Sequence, residues 1–230
     1  MLARPARRSY LAALTLVTAA CPRPPQPLTP AAFVPATRED FTAAARRSAP
    51  SRPELVRFGW RSDNGTVQLS GSGAVRIAPP DSMRVDIAAA LGLGRSILIL
   101  TGDSTVARPA DLVEQMLPDR FALWAALGVM RMPAGGLGVE RLADGARNVW
   151  KVTDAGGRVT LFELRGDTLV GGSREVGGRT TMQLRLERGP NGAVRHAQLL
   201  DLARSTRLDI EIQGREARDS FPVETWRLRP

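Results

Sequence analysis

Hydrophobic and polar positions along this chain alternate with a period of two over most of its length, and the clearest stretch is 71–106. Val75 and Ile77 alternate with Ala74, Arg76 and Ala78 up to Pro79-Pro80. Met83, Val85 and Ile87 alternate with Arg84 and Asp86, and Ile97 to Leu100 is a short apolar run closed by Gly102-Asp103. Three strands in succession are predicted, forming an antiparallel meander. Its first turn, Pro79-Pro80-Asp81-Ser82, supplies a fixed φ and side chains that bond their own backbone. Its second, Leu91-Gly92-Leu93-Gly94, carries two leucines where a connection is normally polar, so those leucines either fold under the protein or meet something outside it.

The same period continues on both sides. Residues 55–61 alternate, Asn64-Gly65 is a strong hairpin signal, and Val67, Leu69 and Gly71 continue the return strand. After 138 the alternation recurs at 148–153, 159–165, 168–170, 179–188, 194–201, 207–213 and 225–228, with glycine turns between. Two regions change period. Thr37 with Asp40 makes a capping-box-like start for a helix over 37–48, with Phe41, Ala44 and Ala45 on one face and Pro50 as its stop. Residues 112–132 place Leu112, Met116, Phe121, Leu123, Trp124, Leu127 and Met130 at helical spacing, and Pro118 divides them into two short helices. Eleven or twelve strands with one helical interruption predict a curled antiparallel sheet whose concave side the helices cover.

The N-terminus departs from all this. Arg4, Arg7 and Arg8 precede a short apolar core, and Thr18-Ala19-Ala20 lead into Cys21, the one cysteine among 230 residues. This arrangement resembles a bacterial lipoprotein signal peptide. The apolar core is shorter than the ~20 residues a spanning helix needs. One thiol makes no internal disulfide, so lipid attachment at Cys21 also accounts for a single cysteine in an exported chain. Pro22, Pro24, Pro25, Pro27, Pro30 and Pro35 then make an extended tether. The expected organisation is a signal peptide over 1–20, a proline-rich tether over 21–36 and one domain over 37–230. Pro22 in place of Asp after the cysteine points to the outer membrane, facing the periplasm, by resemblance to known export systems.

Charge alters the picture little. The formal charge is +9, but every basic residue except Lys151 is arginine, and they are scattered rather than blocked. That reads as a compositional bias and not as a nucleic-acid surface. No cofactor, metal or catalytic residue is expected. Gly102-Asp103-Ser104 lacks a strand-to-helix elbow, and the single imidazole, His196, sits in an alternating strand. Asp81, Asp86 and Asp103 are not brought together by alternation, and 134–138 lacks the Lys-Ser/Thr of a phosphate loop, so it reads as a flexible hinge after the helices.

Arg76-Ile77, Pro80-Asp81-Ser82-Met83, Ala89, Leu91-Gly92 and Leu100-Thr101-Gly102-Asp103-Ser104 together resemble the LolA/LolB-like lipoprotein-carrier superfamily. The nearest resemblance is to its uncharacterised lipoproteins with a domain of unknown function, and it is strongest over 54–132. It implies a mainly β fold, an unclosed antiparallel half-barrel of about eleven strands with a helical lid inserted after the early strands. It also implies an apolar cavity that receives acyl chains of a lipid or lipoprotein, without catalysis, and a periplasmic carrier protein as partner. The expected cavity residues are Trp60, Leu69, Val85, Ile87, Leu98, Leu100, Phe121, Trp124, Leu127 and Met130. Trp60 and Trp124 are either ordinary core or the borders of that cavity. In the family's membrane-anchored member a leucine in a protruding loop meets the membrane, and Ala89-Ala90-Leu91-Gly92-Leu93 resembles that segment. Apart from the resemblance, the glycines beside Leu93 allow a sharp turn and Arg95 can face lipid headgroups, so Leu91, Leu93 and Arg95 are the expected membrane-contact residues. The rival expectation is a scaffolding lipoprotein with a filled core that binds a protein partner.

Overall fold

The structure, a computed structural model, describes residues 32–90, 94–102, 104–109, 120–144 and 147–228. Cys21 with its signal and most of the tether, Leu91, Leu93, Asp103 and the first part of the second helical region lie outside the described residues. Those described belong to one unit, Ala31–Pro230.

The alternating segments pair into one antiparallel sheet. In chain order its strands are β1 (Val34–Pro35), β2 (Glu54–Asp63), β3 (Gln68–Ala78), β4 (Ser82–Ala89), β5 (Arg95–Thr101) and β6 (Ser104–Arg108). They continue with β7 (Gly136–Asp144), β8 (Arg147–Asp154), β9 (Val159–Arg165), β10 (Thr168–Val176), β11 (Arg179–Arg188), β12 (Val194–Asp201) and β13 (Thr206–Ala217). The order across the sheet is β1-β7-β8-β9-β10-β11-β12-β13-β2-β3-β4-β5-β6. Each half is a meander, and the last strand, β13, closes against β2 over the register Arg207↔Asp63 to Ala217↔Glu54. The two edges, β1 and β6, do not pair, so the sheet is an open half-barrel and not a closed barrel.

Glycines let the sheet curl tightly around its aromatic residues. Trp60 stands directly across from Gly71, and Phe58 across from Gly73. A Cβ at Gly73 would lie 2.3 Å from the Phe58 ring, and one at Gly71 would lie 2.9 Å from the Trp60 ring and 2.0 Å from the Ala88 carbonyl oxygen. The rings occupy the space that side chains on β3 would fill.

Helix α1 (Arg38–Ser48) forms as its sequence predicts. The Thr37 hydroxyl accepts from the Asp40 amide at 3.0 Å, and Asp40 returns a bond to Thr37, completing the capping box. Phe41 is fully buried between Trp150 and Phe162, at ring distances of 5.7 and 5.5 Å. The second helix, α2 (Arg120–Ala126), is shorter than expected. Gly128, at φ 85°, stops it, with the Val129 amide donating to Trp124 O and the Gly128 amide to Ala125 O in a Schellman turn. Leu127 and Met130 are buried, but beyond the helix.

Other elements also differ from expectation. The sheet has thirteen strands among the described residues rather than about eleven. Strand β6 buries no side chain and β7 few, so neither carries a readable alternation. Residues 134–138 are a turn entering β7 and not a hinge: the Gly136 amide donates to Pro133 O, and Arg38 holds the Gly136 carbonyl. Residues 225–228 are not a strand. After Pro222 the chain makes a 3-10 turn over Val223–Trp226, and Arg84 Nη1 on β4 takes the Thr225 carbonyl at 2.9 Å. No described helix is long and apolar enough to cross a membrane.

Candidate functional site in the concave face

Alternation sends Val56, Phe58 and Trp60 of β2, Val75 and Ile77 of β3, and Met83, Val85 and Ile87 of β4 into one core with side chains from β8, β9, β11, β12 and β13. Helix α2 lies within this curl. Every residue from Phe121 to Leu127 is buried, and so are Val129 and Met130. A helix with no polar face belongs inside. The helix expected over the concave side lies against it, and its described part is buried throughout, because Phe121-Ala122-Leu123-Trp124-Ala125-Ala126 has nothing to offer water. Phe121 meets the fully buried Phe162 edge-on at 5.4 Å, and Phe162 in turn meets Phe41, so one ring on β9 joins both helices. A Cβ at Gly172 on β10 would lie 2.5 Å from the Leu161 carbonyl oxygen, so this position is set by close backbone approach within the sheet, with the Phe121 ring at an ordinary contact distance of 3.6 Å.

Between α2 and the sheet is a hollow of about 40 Å³ with a wholly apolar lining. Trp60, Val85, Ile87 and Leu127 line it, together with Phe58, Leu123 and Leu208, which were not named for the cavity from sequence. The buried indole N–H of Trp60 has no acceptor. On the other side of α2, Leu100, Phe121 and Trp124 line a second cavity of about 230 Å³ rimmed by arginines. Arg131 stacks on Trp124 at 4.8 Å and Arg174 on Phe121 at 5.5 Å. Trp60 and Trp124 thus face different spaces. Leu98 and Met130 are buried core, Leu69 is half-buried at its margin, and these three line neither cavity.

Polar contacts to its backbone hold the C-terminal end of the segment. Arg215 on β13 donates from Nη2 to the Leu127 carbonyl at 3.0 Å and from Nη1 to Glu54 at 3.1 Å. The Met130 amide donates to Ser48 Oγ at 2.7 Å, and Arg131 reaches the Pro80 carbonyl at 3.4 Å. Sequence pattern did not mark Arg215, which is one arginine among many. Arg188 on β11 donates to Leu169 O and Gly192 O. Burial first, and then the charge of Arg215, pull its guanidinium below the usual arginine range.

The remaining candidates separate. His196 on β12 stands 3.3 Å from Asp209 and 3.9 Å from Glu187, six strands from Ser104 in the sheet order. Asp86 is taken by Arg76 and Arg84, and among the described residues no three His, Cys, Asp or Glu side chains cluster as a metal would require. Arg95 opens β5 and is exposed, beside the turn closed by Ala89 N to Gly94 O at 3.0 Å.

No family model and no curated protein matches this chain. Solved structures do. A LolA superfamily protein from Nitrosomonas europaea superposes with a TM-score of 0.58 over 84% of this chain and 98% of its own, at 13% identity. A DUF1329 family protein from Desulfovibrio piger gives a TM-score of 0.50 over 82% and 95%, at 10% identity. At such identities the likeness is one of fold.

Proposed function

We propose that this chain, whose fold is LolA-like, is a lipid-anchored envelope lipoprotein of carrier type. Its half-barrel takes acyl chains of a lipid or lipoprotein into the concave face without catalysis, with residues 120–130 as the gate. The observation that carries this reading is the filling of the face. An unclosed sheet lined by aliphatic and aromatic side chains is occupied by a short apolar segment of the same chain, whose C-terminal end Arg215 and Ser48 hold through its backbone. An acyl chain is the chemical equal of what that segment supplies. Exchanging one for the other keeps the sheet dry, and each buried methylene contributes ~0.8 kcal/mol. The gate's side chains would gain their own burial elsewhere, against a partner or a membrane.

The anchor at Cys21 and the tether after it belong to the same reading, as does the outer membrane facing the periplasm. The loop of Leu91, Leu93 and Arg95 would touch that membrane, and a periplasmic carrier protein would hand over or collect the ligand. The second reading, a scaffolding lipoprotein that binds a protein partner, is favoured by the small size of the hollow, about 40 Å³ with the gate in place. Native mass spectrometry of the protein from membranes, with titration of a neutral fluorescent acyl probe, separates the two. Co-purified lipid and micromolar probe binding are expected. Absence of both would leave the scaffold.

A further inference from the structure

Beside the end of α2 is a polar pocket of about 200 Å³ between α1, the β9–β10 turn, the β11–β12 turn and β13. Three guanidinium groups line it, those of Arg47, Arg188 and Arg215, against two carboxylates, Glu54 and Asp167. Each carboxylate is already committed: Glu54 to Arg215 at 3.1 Å and Asp167 to Arg47 at 3.3 Å. Arg188 has no carboxylate. Its Nε and Nη2 go to the Leu169 carbonyl and its Nη1 to that of Gly192. The pocket therefore carries an excess positive charge, half withdrawn from water, and a partly buried cation satisfied only by carbonyl dipoles is costly unless an anion joins it. Arg215 adds to this, since its buried Nε has no acceptor.

We propose that this pocket is an oxyanion site, and that it takes the phosphate or carboxylate head of an anionic amphiphile whose chain enters the apolar hollow. Leu127 joins the two spaces, lining both. Its carbonyl is the one Arg215 holds, so an oxyanion bridging Arg188 and Arg215 competes for the donor that keeps the gate shut. Guanidinium pairs suit such heads because their planar forks match two oxygens at once. The head would thus both select the ligand and release the segment that excludes its chain. The inference rests on the acyl-binding reading for the chain, and on the pocket's own charge for the head.

The test uses the full chain with Cys21→Ser, so that no anchor competes, and compares dodecyl phosphate, decanoate, neutral dodecyl maltoside and inorganic phosphate by calorimetry. Dodecyl phosphate should bind at least tenfold more tightly than the maltoside. Arg188→Gln should remove that advantage and leave the maltoside unchanged, while Arg185→Gln, which deletes an equal charge at an exposed position of β11, should change neither. If Arg188→Gln does not fold, Arg188→Lys replaces it and should lower the dodecyl phosphate advantage severalfold. Equal binding of anionic and neutral amphiphiles, insensitive to Arg188, would overturn the oxyanion site and leave acyl binding intact. Arg188-dependent binding of inorganic phosphate with no amphiphile binding would keep the site, with free phosphate as its source, and remove the acyl reading. Binding of none would overturn both.

Discussion

Arg215 on β13 holds the Leu127 carbonyl at 3.0 Å, so a strand near the middle of the sheet is tied to the residue at which α2 ends. A charged hydrogen bond of this kind is worth about 1.5–3 kcal/mol. It acts on the backbone and is indifferent to which side chain occupies position 127. It stabilises the filled arrangement specifically, because a displaced segment would carry its carbonyl away.

Arg215→Gln should therefore lower the melting temperature by about 3–12 °C and raise affinity for a neutral acyl probe by about ten- to a hundredfold, the bond's free energy no longer opposing opening. A lower melting temperature with unchanged probe affinity would make Arg215 a structural residue and nothing more.

Gly71 tests the curl of the sheet. A methyl group there would lie 2.0 Å from the Ala88 carbonyl oxygen, where backbone must move. Gly71→Ala should cost about 1–3 kcal/mol, a fall of several degrees in melting temperature. Gly138→Ala on β7, where a Cβ meets nothing nearer than Thr153 at 3.7 Å, should be neutral or mildly stabilising. Equal effects at the two sites would refute the close approach.

Leu93→Glu, with Leu91→Glu in parallel, should leave thermal stability nearly unchanged while weakening association of the unlipidated chain with anionic liposomes. An exposed leucine costs only ~2 kcal/mol in water, which membrane contact would recover, and Arg95 at the start of β5 is exposed toward headgroups. A large loss of stability with unchanged liposome binding would show instead that the leucines plug the barrel mouth.

Cys21→Ser should move the protein from the membrane to the soluble periplasmic fraction with its melting temperature preserved, as cell fractionation would report. Retention in membranes would exclude the lipid anchor.

Asp209 sets an acid limit. Burial pushes its carboxyl up, but hydrogen bonds from Arg207 and Gln198 and the charges of Arg207 and His196 outweigh it and hold it below the usual range. A carboxylate depressed in the folded state stabilises above the unfolded value of about 3.9 and loses that contribution as pH falls through the folded value. Asp209→Asn should lower stability at neutral pH and flatten the acid limb of the melting-temperature profile below about pH 4. An unchanged limb would mean other carboxylates dominate it.

What the sequence by itself determined is local. Thr37 with Asp40, Asn64-Gly65 and Pro79-Pro80-Asp81-Ser82 specify their cap and turns through bonds that close within a few residues. The alternation of Met83, Val85 and Ile87 specifies a buried strand face whatever lies opposite. Trp60, Val85 and Ile87 lie on such faces, and with Leu127 they line the hollow. Only the tertiary structure decided the rest, because the remaining choices depend on partners far away in the chain. Strand β6 buries nothing, so its pairing with β5 leaves no pattern in its own residues. The helical periodicity through Met130 was real, yet Gly128 ended α2 sooner, in a place where any Cβ would strike Val194 at 2.9 Å. That Phe121 to Leu127 is buried against the concave face depends on Phe162 and the other core side chains that distant strands bring together there. Arg215 and Arg188 differ from the other arginines only in which carbonyls the curled sheet brings within reach.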